Sequence, residues 1–474
     1  MEWIILAVVI WGVYSIGKRS GQKSKNTVKN TYSPNTQNNI KPRLNEKKLD
    51  ISNIILSSEQ EALFNKIESS NAHIFITGKA GTGKSLLLQY FKQNSSKRFV
   101  VAAPTGVAAL NVGAQTIHSL FRIPPAFIKK DSLPIDHKTA TLLRNIDTVV
   151  IDEISMVRAD LMDAIDYRLR QARANSLPFG GVQIIMFGDL FQLPPVVSDK
   201  ELHKYFEDTQ GGYFFFNADV WKNARFEIYE LTQIFRQKDE DFKTILNAIR
   251  EGDINDGHLE HLNQRTTAVI PAEGVITLAT TNSAVAEINN SRLSQLDGKM
   301  FEYRASISGN LEESSFPTEE VLRLKKGAQV MLLKNDRDKR WVNGTLGIVD
   351  SLTDAEVKVN IDGIVYSLPR ETWKKIRYYY DRSTNTVEEE TVSSFTQFPL
   401  RLAWAVTIHK SQGQTFSTIA IDMGNGAFAH GQTYVALSRC TTLEGLYLIQ
   451  PITREHIIVE PKIVSFMKNK YTLN

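Results

Sequence analysis

The sequence predicts an α/β fold of two parallel-sheet domains, with a small β module inserted into the second. Three observations carry this reading. From Ile51 onward, short uninterrupted apolar runs alternate with helical patterns, as parallel strands covered on both faces require. The alternation occurs twice, and within its second round lies a stretch of short alternating runs broken by turn dipeptides. At 474 residues the chain is also too long for one core, which implies two to four domains.

Taken in order, residues 74–77, 99–103, 148–152 and 183–187 read as strands, and the helix after Lys84 carries Leu86, Leu87, Leu88 and Phe91. These define a first domain over 51–225, with a small insertion near 118–145. A strand at 275–279 leading into a helix at 283–296, with later strands at 418–422 and 445–449, defines a second over 226–321 and 396–474. Between them, runs at 329–333, 347–349 and 356–360 are separated by Asn343-Gly344 and Asp362-Gly363, which are hairpin signals; the module spans 322–395.

Apolar residues make up 42% of the chain and charged ones 23%, ordinary for a folded protein. The single cysteine, Cys440, excludes an internal disulfide and a thiolate zinc cluster, and fits a cytoplasmic setting for the main body. The net charge is +4, yet residues 18–50 hold nine basic residues against two acidic ones. The remaining body is therefore close to neutral, and any nucleic acid must be held by a local basic channel. Residues 18–50 have no hydrophobic period and read as a disordered linker. Before them, residues 3–16 form an apolar run with Trp3, Trp11 and Tyr14, followed by Lys18 and Arg19. A membrane-anchor helix over 1–17 is the favoured reading; a cleaved secretory signal and a helix packed on the body are the alternatives.

Residues 78–85 read Gly-Lys-Ala-Gly-Thr-Gly-Lys-Ser, directly after a strand and before a helix. This is a P-loop. Gly78, Ala80, Gly81, Thr82 and Gly83 supply a flexible backbone whose N–H groups wrap phosphates; Lys84 reaches the β and γ phosphates and Ser85 holds Mg²⁺. Asp152 ends a buried strand, where its carboxylate can meet the metal shell, and Glu153 is placed to activate water. Gln192, supported by Asp189, is the candidate γ-phosphate sensor. Phosphoryl transfer accumulates charge on the γ oxygens, so an arginine from another domain is expected; Arg236 and Arg439 are the candidates.

Together these blocks resemble the PIF-type, RecD-like group of superfamily-one helicases, in order over most of residues 54–450. The blocks are 56–60, the P-loop, 103–109, 116–121, 151–156, 188–194, 231–236, 405–413 and 434–439, with a tract at 157–181 similar to the group's signature segment. The resemblance implies two RecA-like domains and an SH3-like barrel for the inserted module. It implies ATP and Mg²⁺ as ligands and 5′-to-3′ movement on single-stranded DNA toward duplex or fork junctions. By position it makes Gln60 an adenine contact and Arg236 and Arg439 arginine fingers. It also brings Gly413 and Gln414 to the phosphates, and sets Pro104, Thr105, His118, Thr407, His409, Lys410 and Ser411 along the strand. Phe121, Phe191, His118 and the tyrosines at 378–380 are the candidates for stacking on bases. An RNA-dependent ATPase and a membrane-tethered nucleic-acid scaffold without turnover are the alternatives.

Overall fold

The inner strands of the first sheet are short and apolar on both faces, and all six strands assemble in parallel. Their order is Gln115–Thr116, Phe99–Ala103, Thr148–Ile151, Gln183–Phe187, His73–Gly78, Phe226–Leu231. The sheet thus takes a sixth strand beyond residue 225. Successive side chains feed opposite faces: Ile74, Ile76, Val101, Val150, Ile185 and Phe187 pack under Leu87, Leu88 and Phe91 of the Lys84–Asn94 helix, while Phe75, Val100, Val149, Ile184 and Met186 fill the other core. In this computed structural model the described residues are 55–128, 135–197, 199–237, 239–267, 270–271, 274–338 and 340–469. The expected anchor and linker, and with them residues 3–16, lie outside this set. Among the described residues no helix is long and apolar enough to cross a membrane.

The second sheet is also parallel, in the order Ala405–Thr407, Ile276–Ala279, Ile419–Asp422, Leu446–Leu448. In both sheets the segments that follow the carboxyl ends of neighbouring strands converge, which is where open α/β sheets place their sites.

The inserted segment forms antiparallel sheets. Five strands pair in the order Ile364–Leu368, Val357–Ile361, Leu346–Leu352, Gln329–Leu332, Leu400–Leu402. Asp362 and Gly363 turn one hairpin with φ of +50° and +86°, the left-handed pair such a turn needs. The two edge strands do not pair with each other, so this sheet does not close into the barrel that the resemblance implied. The residues that would continue it instead form a long hairpin, Glu371–Asp381 with Thr386–Gln397, which pairs with Ser306–Ser308. That hairpin docks on the first domain, where the backbone N–H of Tyr378 donates to Gln115 Oε1 at 2.9 Å.

Candidate active site

The chain leaves the strand His73–Gly78 through glycines with φ of +149° at Gly78 and +83° at both Gly81 and Gly83. Only residues without a Cβ fit this turn: one on Gly81 would lie 2.4 Å from Arg236 Cβ, and one on Gly83 would lie 2.3 Å from Gln60 Nε2. The helix that follows starts at Gly83 with no side-chain cap, leaving its first N–H groups for an anion. Lys84 Nζ donates to the carbonyls of Gly78 (2.6 Å) and Lys79 (3.1 Å). Burial pulls its ammonium below the usual range, while Asp189 and Glu153 oppose that shift. Ser85 is exposed beside it. Gln60 is buried, takes the Ser57 N–H on Oε1, and donates through Nε2 to Thr82 (3.3 Å) and Gly83 (3.4 Å) carbonyls. Its amide is pinned to the loop, so contact with a base edge requires that amide to be released.

Asp152 and Glu153 leave the strand Thr148–Ile151 two places along the sheet. Burial raises both carboxyls; each lies near the other, and Lys84 partly offsets the shift. Glu153 sits in the left-handed region (φ +50°, ψ +46°), a conformation that costs of order 1–3 kcal/mol in a non-glycine residue. Asp189 and Gln192 leave the strand between these and the P-loop. Burial alone would raise the Asp189 carboxyl, but Arg250 and Lys84 outweigh it and hold it ionised. Gln192 Nε2 donates to Asp189 Oδ2 at 3.4 Å.

Arg236 packs over Gly81 and donates to the Ser438 carbonyl at 3.2 Å. Arg439 is 1% exposed and held by the carbonyls of Val435 (2.9 Å) and Gln414 (3.4 Å) and by Ser438 Oγ (2.8 Å). Burial and the neighbouring Arg236 lower its pKa, while Glu153 across the site opposes the shift. Both expected arginines therefore face the site that holds Lys84. Gln414 lies against Arg439 through its carbonyl, and Gly413 is exposed with open space around it. Two further second-sheet groups were not anticipated. Tyr434 Oη accepts the Ala80 N–H at 2.9 Å, and Arg250 reaches Asp189 at 3.1 Å. Phe235, half exposed, lies beside Gly83 and Gln60. Tyr434 opens the block 434–439, where only Arg439 had been given a role; Arg250 had no sequence signal as an isolated position; Phe235 adjoins Arg236 and was legible there.

The residues present fit a nucleotide triphosphate and Mg²⁺. A phenolic oxygen already takes a cradle N–H where a phosphate oxygen would, and the Asp152–Glu153 carboxyls lack a full counter-charge. Ser85 and Asp152 are hard oxygen donors, the set Mg²⁺ takes alongside phosphate and water.

At the second sheet, Thr280–Asn282 follow one strand and Ile408–Ser411 follow its neighbour, so the two turns face one cavity of about 420 Å³. It is lined by Thr280, Thr281, Asn282, Thr407, His409, Lys410 and Phe428. Phe428 is 63% exposed and parallel to His409, with ring planes 16° apart. Phe428 was missed, although an aromatic in the glycine-rich run 424–431 was a usable signal. Thr407 Oγ1 accepts the Lys410 N–H, and Ser411 is buried with its hydroxyl on the Ile408 carbonyl. On the first domain, Thr105 caps the Gly106–Val112 helix, Pro104 precedes it, and His118 Nδ1 pairs with the Ile123 carbonyl. Of the stacking candidates, Phe121, Phe191 and Tyr378 are buried in the core, because their neighbours are apolar strands and helices; Tyr379 is 41% exposed.

A phosphate cradle on one parallel sheet, faced by guanidinium groups from beyond it, defines a two-lobed P-loop NTPase of RecA-like build. Residues 55–260 match the model of the PIF1-like helicases, and residues 309–352 that of the DNA helicase Pif1 2B domain. The ATP-dependent DNA helicase Pif1 of Bdellovibrio bacteriovorus is 32% identical over 89% of this chain and 93% of its own length. Human ATP-dependent DNA helicase PIF1 is 35% identical over 83% of this chain, which spans about 60% of the human protein's length. The crystal structure of Bacteroides Pif1 with ADP-AlF4 is 40% identical, with a TM-score of 0.82 over 88% of this chain and 98% of that one. The same protein bound to single-stranded DNA gives a TM-score of 0.65. The chain belongs to the PIF1-like helicase family.

Proposed function

We propose that this chain is an ATP-dependent DNA helicase that moves 5′-to-3′ along single-stranded DNA and opens duplex ahead of it. The observation that carries the reading is the meeting of Arg236 and Arg439 with Lys84 and Glu153 in one buried site, while the strand cavity hangs from the same lobe as Arg439. Lys84 and the cradle N–H groups hold the phosphates. Glu153 orients water and takes its proton, and the two arginines stabilise the charge that builds on the transferring group. When bound at Ser85 and Asp152, Mg²⁺ would neutralise phosphate charge. Because Arg439 and the strand cavity share a lobe, while Arg236 lies over the P-loop and donates to the Ser438 carbonyl beside Arg439, a change at the nucleotide moves the grip on DNA. His409, Lys410 and Phe428 grip one base and its backbone without reading sequence. Pro104, Thr105 and His118 take the strand on the first lobe. The antiparallel insert, whose long hairpin docks on the first lobe at Gln115, stands beside them.

The test is unwinding of matched 5′-tailed and 3′-tailed duplexes, with and without ATP, alongside hydrolysis stimulated by single-stranded DNA or RNA. ATP-dependent opening of the 5′-tailed duplex alone, with DNA the better stimulator, is expected. Opening from the 3′ tail overturns the polarity, and preferential stimulation by RNA overturns the substrate.

A further inference from the structure

Arg250 ends the Glu240–Glu251 helix, outside every sequence block that bears on the nucleotide. Its guanidinium is buried at 3% exposure, over the ring of Phe191 with 4.1 Å to the centroid. One amino group lies 3.1 Å from Asp189 Oδ1 and 3.8 Å from Glu230 Oε1, and Nε has no hydrogen-bond partner. Burying a guanidinium with one donor unmet is costly, and a core position needing only bulk would hold an apolar side chain.

The position of Asp189 supplies a reason. The same Oδ1 accepts the Phe191 N–H at 3.2 Å, and Oδ2 accepts Gln192 Nε2 at 3.4 Å. Arg250 thus fixes the carboxylate that fixes the whole Asp189–Gln192 turn. The helix bearing it packs on Gln432–Leu437, the helix that carries Tyr434 and leads to Arg439. The same turn is pressed from that side again: a Cβ on Gly431 would come 2.2 Å from the Phe191 carbonyl, and His430 Nε2 lies 3.0 Å from the Leu190 carbonyl.

We infer that Arg250 is a third arginine between the lobes, a positioning residue that reaches no phosphate but ties the Gln192 turn to the DNA-gripping lobe and transmits its movement. This rests on the helicase reading above. The experiment uses the whole chain, with saturating oligo-dT for kcat and KM for ATP, and a 5′-tailed duplex for ATP hydrolysed per base pair opened. The variants are Arg250→Met, Arg250→Lys, Asp189→Asn and the Met/Asn double. Arg250→Met is expected to lower kcat about tenfold with KM moved less than about threefold, and to raise ATP consumed per base pair. Arg250→Lys, which keeps charge but not the flat face over Phe191, is expected to recover only part of kcat. The double variant is expected to be no worse than the poorer single one. A kcat and coupling ratio within about twofold of the parent, a change in KM alone, or additive single effects would each overturn the assignment. If Arg250→Met does not fold, Asp189→Asn carries the same test with the arginine in place. An unsubstituted chain without DNA-stimulated hydrolysis overturns the functional reading itself, whereas an active chain with indifferent variants overturns only the role of Arg250.

Discussion

The carboxyl edges of the two parallel sheets are built alike and furnished differently. The first collects buried charge: Lys84, Asp152, Glu153 and Asp189, with Arg236 over the P-loop and Arg250 and Arg439 joining from across the gap. The second offers two turns, one lysine, one histidine and an exposed phenylalanine around an open cavity. The difference follows from what each edge does under the proposed function. Phosphoryl transfer needs charges fixed before the reaction, where water cannot screen them. A moving grip must release every strand position it takes, so it uses stacking and few ions.

The sharpest way to break this comparison is Lys84→Ala. ATP hydrolysis should fall by at least about 10³-fold, while affinity for single-stranded DNA, followed by fluorescence anisotropy, should stay within about threefold. Equal losses in both would show that the two edges are not separable. Phe428→Ala inverts the test. Losing a base-stacking face worth about 1–3 kcal/mol should weaken DNA binding by roughly 5- to 150-fold and leave DNA-independent hydrolysis within about twofold. An unchanged DNA affinity would remove Phe428 from the strand path.

Ser411→Ala sharpens the picture within the strand edge. Its hydroxyl is buried on the Ile408 carbonyl, so the variant should lose about 0.5–1.5 kcal/mol of stability in urea unfolding and bind DNA as before. A DNA defect without a stability loss would instead make Ser411 a direct contact. The smallest expected effect is on pH. Burial, with Glu153 nearby, raises the Asp152 carboxyl from 3.8 toward neutrality. Between the ordinary carboxylate value and about 7, the folded chain holds a proton that the unfolded chain has lost. Stability from this group is therefore full at low pH and declines as pH rises through that window. In nucleotide-free protein, Asp152→Asn should flatten that decline in melting temperature; an unchanged slope would put the titration elsewhere.

Much of the nucleotide edge was legible because its chemistry is local. The P-loop must be one continuous turn, and Gln192 and Asp152 follow the next two strands along the same sheet. The inserted module was legible as β structure from its turns at 343–344 and 362–363. Its closure was not, since a barrel requires its edge strands to meet, and here the chain spends residues 371–397 on a hairpin docked against Gln115 instead. Aromatic residues misled for a related reason: Phe121 and Phe191 have the composition of stacking groups, but their neighbours in space are core, while Phe428 stands free.

What the sequence determined by itself was periodicity and short-range chemistry: apolar strands of parallel type, a glycine turn before a helix, and acids at strand ends. These depend on residues a few positions apart, whose relative placement the backbone fixes. The tertiary structure alone decided that Tyr434 meets Ala80, that Arg250 meets Asp189 and that two distant turns share one cavity. All are separated by tens to hundreds of residues: the packing of one lobe's helices against the other's loops brings the first two pairs within a hydrogen bond's length, and the parallel pairing of two strands distant in sequence brings the turns together.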